Sequence, residues 1–411
     1  MADLDPPASQ DEDRQTADRS HDPGSEGARR PPSAKGAPDR QSNNRNRRGR
    51  PARGNAPHQN VKPSHGNAPQ GRPSRQAYAA IDLGTNNCRL LIARPSGENF
   101  VVIDAFSRVV RLGEGLAQTG RLSDEAMDRA LSALHVCSDK LKRRNVHLAR
   151  SVATEACRRA SNGDDFIERV RRETGIVLDV ISAQEEARLA VLGCHVLLER
   201  GEGPAMIFDI GGGSTELVLI ETGKAVPRIV DWQSVPWGVV SLTESFPASN
   251  AEETDNQRLE RYREMRRAVH KSFADFSMRL KPFRSQGGED GLRLLGTSGT
   301  VTTLASLHLG LPQYDRRAVD GLIVEALAMR DIAKQLSHIS PEERQALPCI
   351  GRDRAELVVA GCAILETILD LWPAARLGVA DRGIREGILR SLMGGARLDQ
   401  PRALAQREKP L

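Results

Sequence analysis

Two stretches of this 411-residue chain follow one design. An apolar run, Tyr78-Ala79-Ala80-Ile81, leads into Asp82-Leu83-Gly84-Thr85-Asn86, and a second, Ala205-Met206-Ile207-Phe208, leads into Asp209-Ile210-Gly211-Gly212-Gly213-Ser214-Thr215. Each reads as a strand entering a tight hairpin turn, which constrains the chain to fold as two similar halves. In each turn an acidic side chain is joined by glycines, whose backbone N–H groups approach an anion closely, and by a hydroxyl; together they describe a place for phosphate and a hydrated metal ion. Gly and Asp are also ordinary turn residues, so the pair carries the reading and neither copy does so alone.

The periodicity supports the duplication. After the first turn, Cys88 to Arg94 and Phe100 to Leu112 read as extended segments, Ser123 to Arg143 as an amphipathic helix, Leu148 to Thr154 as a strand, Asp164 to Thr174 as a helix and Ile176 to Ile181 as a strand. The order then restarts. Strands are expected at Met206 to Ile210, Glu216 to Glu221 and Val226 to Trp232, a long polar helix at Asp255 to Phe283, and a short strand at Arg293 to Leu295. Helices follow at Val301 to Leu307, Val324 to Ser337, Pro341 to Ala346 and Ala355 to Leu371, then a strand at Arg376 to Val379 and a closing helix near Ile384 to Met393. The fold class is α/β, as two βββαβαβα halves whose equivalent turns face one interdomain cleft, where ligands favour binding. The expected divisions are an extension at 1–76, a first domain at 77–193, a second at 194–398 and a tail at 399–411.

From Asp5 to Ala77 the only large aliphatic or aromatic residue is Val61, so this stretch has nothing with which to build a core and is expected to be disordered. Met1 to Gln76 carries 14 basic and 9 acidic residues; subtracting these from the chain's 59 and 54 leaves 45 of each, which places the whole net charge of +5 in the extension. Its basic block, Arg45-Asn46-Arg47-Arg48-Gly49-Arg50, is suited to attract polyanions, though no aromatic residue is interleaved to stack on bases. The acidic, Pro-rich start lacks the pattern of a signal peptide, and no apolar run approaches membrane-span length, so a cytoplasmic protein is expected. The 6 cysteines show no C-x-x-C spacing, and the 9 histidines offer no pair four apart, which argues against thiolate zinc sites and histidine metal catalysis.

Other segments add candidate chemistry. Gly296-Thr297-Ser298-Gly299-Thr300 follows a strand and opens a helix, where N–H groups and hydroxyls hold anions, although Ser and Thr also stand at helix starts for structural reasons alone. Ser182 and Glu185 have the spacing of a capping box, which occupies Glu185 and leaves Glu186, about 100° further round the helix, as the better candidate base. Arg158 and Arg159 leave a strand where a guanidinium can reach into the cleft, and Arg382 and Arg385 have a similar setting; without further context such arginines are more often surface residues.

Taken in order, Ala80-Ile81-Asp82-Leu83-Gly84-Thr85-Asn86, Val152-Ala153-Thr154-Glu155-Ala156-Cys157-Arg158, Glu185-Glu186-Ala187-Arg188, Phe208 through Leu217, and Gly296 through Thr300 resemble the motifs of the exopolyphosphatase/guanosine pentaphosphate phosphatase (Ppx/GppA) family in its short two-domain form. The resemblance runs from about Tyr78 to Met393. It implies an actin-like, sugar-kinase-like fold, Mg2+ as cofactor, and hydrolysis of a terminal phosphoanhydride. It implies Glu186 as catalytic base, Asp209 and Asp82 as catalytic residues that hold the metal, and Thr85, Asn86, Arg158, Gly211, Gly212, Gly213, Ser214, Gly296, Thr297, Ser298, Gly299 and Thr300 around the phosphates. Asn87 departs from the pattern, standing where the family usually has Ser. No counterpart follows of the helical C-terminal region of the long members, which leaves chain-length preference open.

The expected activity is an exopolyphosphatase releasing orthophosphate from inorganic polyphosphate. One alternative is a guanosine pentaphosphate (pppGpp) 5'-phosphohydrolase, and a further one a nucleotide-binding switch, assembly protein or kinase of the same superfold. A third reading makes the basic extension chiefly an RNA or polyphosphate tether. Homodimers are common in the resembled family, while the residues themselves are silent on assembly.

Overall fold

The computed structural model describes residues 76–97, 99–223, 227–248, 253–284 and 292–398. The expected extension at 1–76, apart from Gln76, and the tail at 399–411 lie outside the described residues, and the expected polyanion contacts of the extension lie there too.

Strand β1 (Ala77–Leu83) is apolar throughout most of its length because both of its faces are covered. Ala77, Ala79, Ile81 and Leu83 pack into one apolar cluster and the alternating Tyr78 and Ala80 into another, as the two-residue period of a strand requires. β1 pairs antiparallel with β2 (Asn87–Ser96), which pairs with β3 (Asn99–Val109). Helix α1 (Leu116–Thr119) is a single turn between the left-handed Gly115 and Gly120, and α2 (Asp124–Arg143) starts where the Ser123 hydroxyl accepts from the Ala126 N–H. β4 (Val146–Ala153) returns parallel to β1, and α3 (Glu155–Arg159), α4 (Gly163–Thr174), β5 (Leu178–Val180) and α5 (Ala183–Cys194) complete this half. The strand order is β3-β2-β1-β4-β5.

The second half repeats it. β6 (Pro204–Ile210), β7 (Thr215–Glu221) and β8 (Arg228–Val235) form the meander, followed by α6 (Val239–Ser245) and the 30-residue α7 (Asp255–Arg284). β9 (Arg293–Thr297) lies parallel to β6, and α8 (Gly299–His308), α9 (Arg316–Val319) and the edge strand β10 (Ile323–Glu325) follow. Then come α10 (Ala326–His338), α11 (Pro341–Ala346), α12 (Leu357–Leu371), β11 (Arg376–Ala380) and α13 (Ile384–Leu398). The order β10-β11-β9-β6-β7-β8 contains the first sheet's order with one strand added. That strand takes the start of the helix expected from Val324, because Ile323–Glu325 pairs along the free edge of β11. The short helices α1, α6 and α9 were not anticipated either; each is too brief to show a helical period.

Helix α13 follows the last strand of the second half, yet Ile388, Leu389 and Met393 pack with Tyr78, Ala80 and Leu91 of the first sheet. α5 bridges in the same way, turning Leu189 toward that cluster and Ala187, Val191 and Cys194 toward Ala205 and Ile207 of β6. The two helices meet almost backbone to backbone. A Cβ added at Gly193 would fall 2.0 Å from the Gly383 carbonyl oxygen, and one at Gly387 would fall 2.0 Å from that of Leu189. Among the described residues no helix is long and apolar enough to cross a membrane.

This crossing generates a paired prediction. Gly387→Ala should destabilise the protein by about 1–3 kcal/mol, since neither backbone has room to yield. Gly394→Ala, in the same helix with nothing within 4 Å of the added Cβ, should be neutral or stabilise by up to about 1 kcal/mol through helix propensity. Urea midpoints in the opposite order would mean that the helices do not meet at Gly387.

Candidate active site

Both hairpin turns close in the same way. The Gly84 N–H donates to the Asn87 carbonyl and the Gly211 N–H to that of Ser214, each at 2.9 Å, leaving loops of Thr85-Asn86 and Gly212-Gly213. The loops touch each other. A Cβ at Gly212 would lie 3.0 Å from the Thr85 Cβ, and one at Gly213 would lie 2.1 Å from Glu155 Oε2 and 2.7 Å from Thr85 Oγ1. The glycine run therefore answers a steric demand of the facing half, in addition to any approach of N–H groups to an anion.

Beside this contact is a cavity of about 140 Å³, bordered by Asp82, Asp209, Glu186, Glu216 and both loops. Glu186 sits in the first turn of α5, where the Ser182 hydroxyl accepts from the Glu185 N–H. Only this half of the expected capping box forms: the Glu185 carboxylate accepts from Arg150 and Arg188 and stays outside the cavity. Glu186 accepts from Arg158 Nη1 at 3.2 Å, while the same nitrogen donates to the Ile181 carbonyl at 2.7 Å. Arg158 thus lies behind Glu186 and lines an adjoining opening with Ser214, not the cavity itself.

Burial dominates the electrostatics. It pushes Glu186 well above the ordinary carboxylate range, with Glu216, Asp82 and Asp209 adding to the shift and Arg158 opposing it. Asp209 is pushed to about 8 by burial and by Glu216, and Asp82 is raised by burial against the pull of Arg89 and Arg385. Glu216 is raised by burial although the Ser214 and Ser234 hydroxyls donate to it at 2.7 and 2.8 Å. Four acids in so small a space create a demand for positive charge. Among the described residues no group of three or more His, Cys, Asp or Glu is placed to hold a metal ion by itself. The donors are hard oxygens, few in number, which fits a largely hydrated divalent cation resting on Asp82 and Asp209.

Ser298, Gly299 and Thr300 border the cavity at the start of α8, where the Ser298 hydroxyl accepts from the Val301 N–H at 3.1 Å. Gly296 and Thr297, expected alongside them, do not border it. Gly296 is pressed on the Phe208 ring, which a Cβ would approach to 2.6 Å, and the Thr297 hydroxyl is committed to the Arg382 carbonyl at 2.7 Å. Arg159 turns to Glu155, and Arg382 turns to Asp320 at 2.7 Å.

The structure also brings in side chains with no assigned role in the motifs. Arg89 lies directly across the β1–β2 ladder from Asp82, and Glu216 directly across the β6–β7 ladder from Asp209, so each pair shares a face. Counting back from the hairpin turns would have found both. Glu155 accepts from the Thr85 hydroxyl at 3.4 Å. Arg354, from the loop before α12, reaches the cavity beside Thr303 and had no local signal in the sequence.

The profile of the Ppx/GppA phosphatase family matches residues 91–395. The chain belongs to that family. Exopolyphosphatase 2 of Mycobacterium tuberculosis is 32% identical over 331 residues, spanning 77% of this chain and 98% of that protein. The crystal structure of the Aquifex aeolicus Ppx/GppA family member superposes with a TM-score of 0.63 at 30% identity, covering 78% of this chain and 98% of the other. An exopolyphosphatase from Cytophaga hutchinsonii does so with 0.67 at 26%, over 78% and 98%. The duplicated two-sheet architecture is shared with these Ppx/GppA structures, and within this Ppx/GppA chain the turn-to-turn contact leaves no room for a Cβ at Gly213 unless Glu155 and Thr85 shift. Gly213→Ala should cost roughly 10²-fold in phosphatase activity, the scale of an ångström misplacement, while the far-ultraviolet circular dichroism stays that of the wild type. Full activity in this variant would show that the two loops need not touch.

Proposed function

We propose that the chain is an exopolyphosphatase, which removes the terminal phosphate of inorganic polyphosphate by attack of water. The observation that carries the reading is the placing of Glu186, Asp82 and Asp209 in one buried cavity between two glycine loops and the start of a helix. Its support comes also from relatives named exopolyphosphatase at 32% and 26% identity.

In this reading the terminal phosphate lies against the Thr85-Asn86 and Gly212-Gly213 loops and the N–H groups that open α8, with Arg354 among the side chains lining the cavity. Glu186 takes the proton of the attacking water. Magnesium, on Asp82 and Asp209, would supply positive charge for the phosphate oxygens and the surrounding acids. Positioning and electrostatic stabilisation account for most of the acceleration in such transfers. Arg158 has a different part from the one first expected: it holds the Glu186 carboxylate and favours its charged form.

Orthophosphate release with magnesium, measured in parallel on long-chain polyphosphate, tripolyphosphate and guanosine pentaphosphate, tests the substrate. Release from polyphosphate is expected, with a loss of about 10²- to 10⁴-fold for Glu186→Gln and loss of turnover on chelation. A preference for the nucleotide would move the assignment to a guanosine pentaphosphate phosphohydrolase, and no release from any substrate would favour a nucleotide switch.

The pH profile tests the base. Because burial raises Glu186, the acid limb of kcat/KM should lie above the usual carboxylate value of about 4.3, with activity rising as pH rises through it. Arg158 opposes that rise, so Arg158→Gln should move the limb to higher pH. An unmoved limb would separate Arg158 from the titrating group.

A further inference from the structure

A second cavity, of about 530 Å³, opens between the start of β3, the start of α9 and the first turns of α13. It lies on a different face of α13 from the catalytic cavity: Ile384 borders the latter, whereas Glu386 and Arg390, four residues apart, border the former. Four guanidinium groups line it, and they divide into two kinds. Arg316 is held by Asp381 and Glu386, and Arg382 by Asp320, so both are fixed in place and their charge is balanced.

Arg317 and Arg390 are not balanced in this way. Among the described residues no carboxylate comes within ion-pair distance of either, and the buried Nε of Arg390 has no hydrogen-bond partner. The Arg390 guanidinium stands 5.8 Å over the Phe100 ring, which supplies a face but no acceptor. Burial, with Arg382 adding to it and Glu386 opposing it, holds Arg390 below the usual arginine range. Four guanidinium groups around one cavity, two of them without a carboxylate partner, are the complement of an anion.

We propose that this cavity is a second binding site, for an oligophosphate anion, bridged by Arg317 and Arg390 with Arg316 and Arg382 behind them. Phosphate suits it better than a carboxylate does, because planar guanidinium forks match its oxygens in bidentate fashion and two unpaired cations call for more than one negative charge. β3 belongs to the first sheet and α9 to the second half, so an occupant ties the halves together. It also braces the segment Asp381-Arg382-Gly383, which leads directly into Ile384 at the catalytic cavity. The site is therefore placed to report its occupancy to the cleft.

The test is calorimetric titration of the full chain with magnesium and imidodiphosphate, which is not hydrolysed, comparing wild type with Arg317→Ala and with Arg317→Ala/Arg390→Gln. Two binding events per chain are expected for the wild type. The weaker site of the single variant should lose at least about tenfold in affinity, the scale of one charge-assisted pair, and the double variant should keep only one event. Arg317 is exposed, so the single variant separates loss of the site from loss of folding. A parallel titration with adenosine imidotriphosphate distinguishes the sources of the ligand: tighter second-site binding that falls with Phe100→Leu marks a nucleotide, and equal binding marks an inorganic chain. Events of the same number and affinity in the double variant as in the wild type would overturn the proposal whether or not the cleft binds the probe.

Discussion

Two polypeptide turns press closely loop against loop where one of them lacks a Cβ, and the candidate site lies beside such a contact. Gly213 admits Glu155 and Thr85 of the facing half closer than a Cβ leaves room for unless they shift, and Gly212 admits Thr85 and Asn86 to the tight edge of ordinary contact. The contact brings Asp82 and Asp209, at the ends of equivalent central strands, to one cavity. Both are half-buried there, and burial raises their carboxyls and creates the demand for positive charge. The Gly193 and Gly387 crossing of α5 with α13 obeys the same rule on a larger scale. Glycine thus sets the separation of the halves at both places.

Much of this could be read from residues alone, and what escaped has a physical reason. The repeated strand-to-turn pattern disclosed the duplication, and the strong helical period of residues 123–143 gave α2 nearly to the residue. Short elements such as α6, α9 and β10 carry too few residues for a period and are created by tertiary pairing, β10 by the open edge of β11. The packing of α13 on the first sheet was hidden because chain order says nothing about which of two apolar faces a helix will cover. In the site, Glu186 was separable from Glu185 by angle around the helix, although the partners of Glu185 are arginines from β4 and α5 and not the cap residue's own N–H. Gly296 and Thr297 looked like part of an anion loop, but one fits a ring and the other satisfies a carbonyl. Arg354 comes from a distant loop, and proximity of that kind leaves no trace in spacing.

The duplication is unequal in the place where inequality matters. Across its ladder Asp82 faces Arg89, whereas Asp209 faces Glu216. The first pair is close to self-neutralising; in the second, Glu216 adds to the burial that pushes the Asp209 pKa to about 8. Two identical halves would have offered either two compensated acids, with little pull on a cation, or two pairs of acids, which together would repel a polyanionic substrate. One of each gives a cavity with two carboxyls side by side in one hairpin and a guanidinium opposite the carboxyl in the other. Because the asymmetry is a single position in each hairpin, exchanging Arg89, which lines the cavity, for an acid changes its formal charge by two units. The fold therefore fixes where the phosphate chemistry can occur, and the residue opposite each aspartate decides what charge that place will accept.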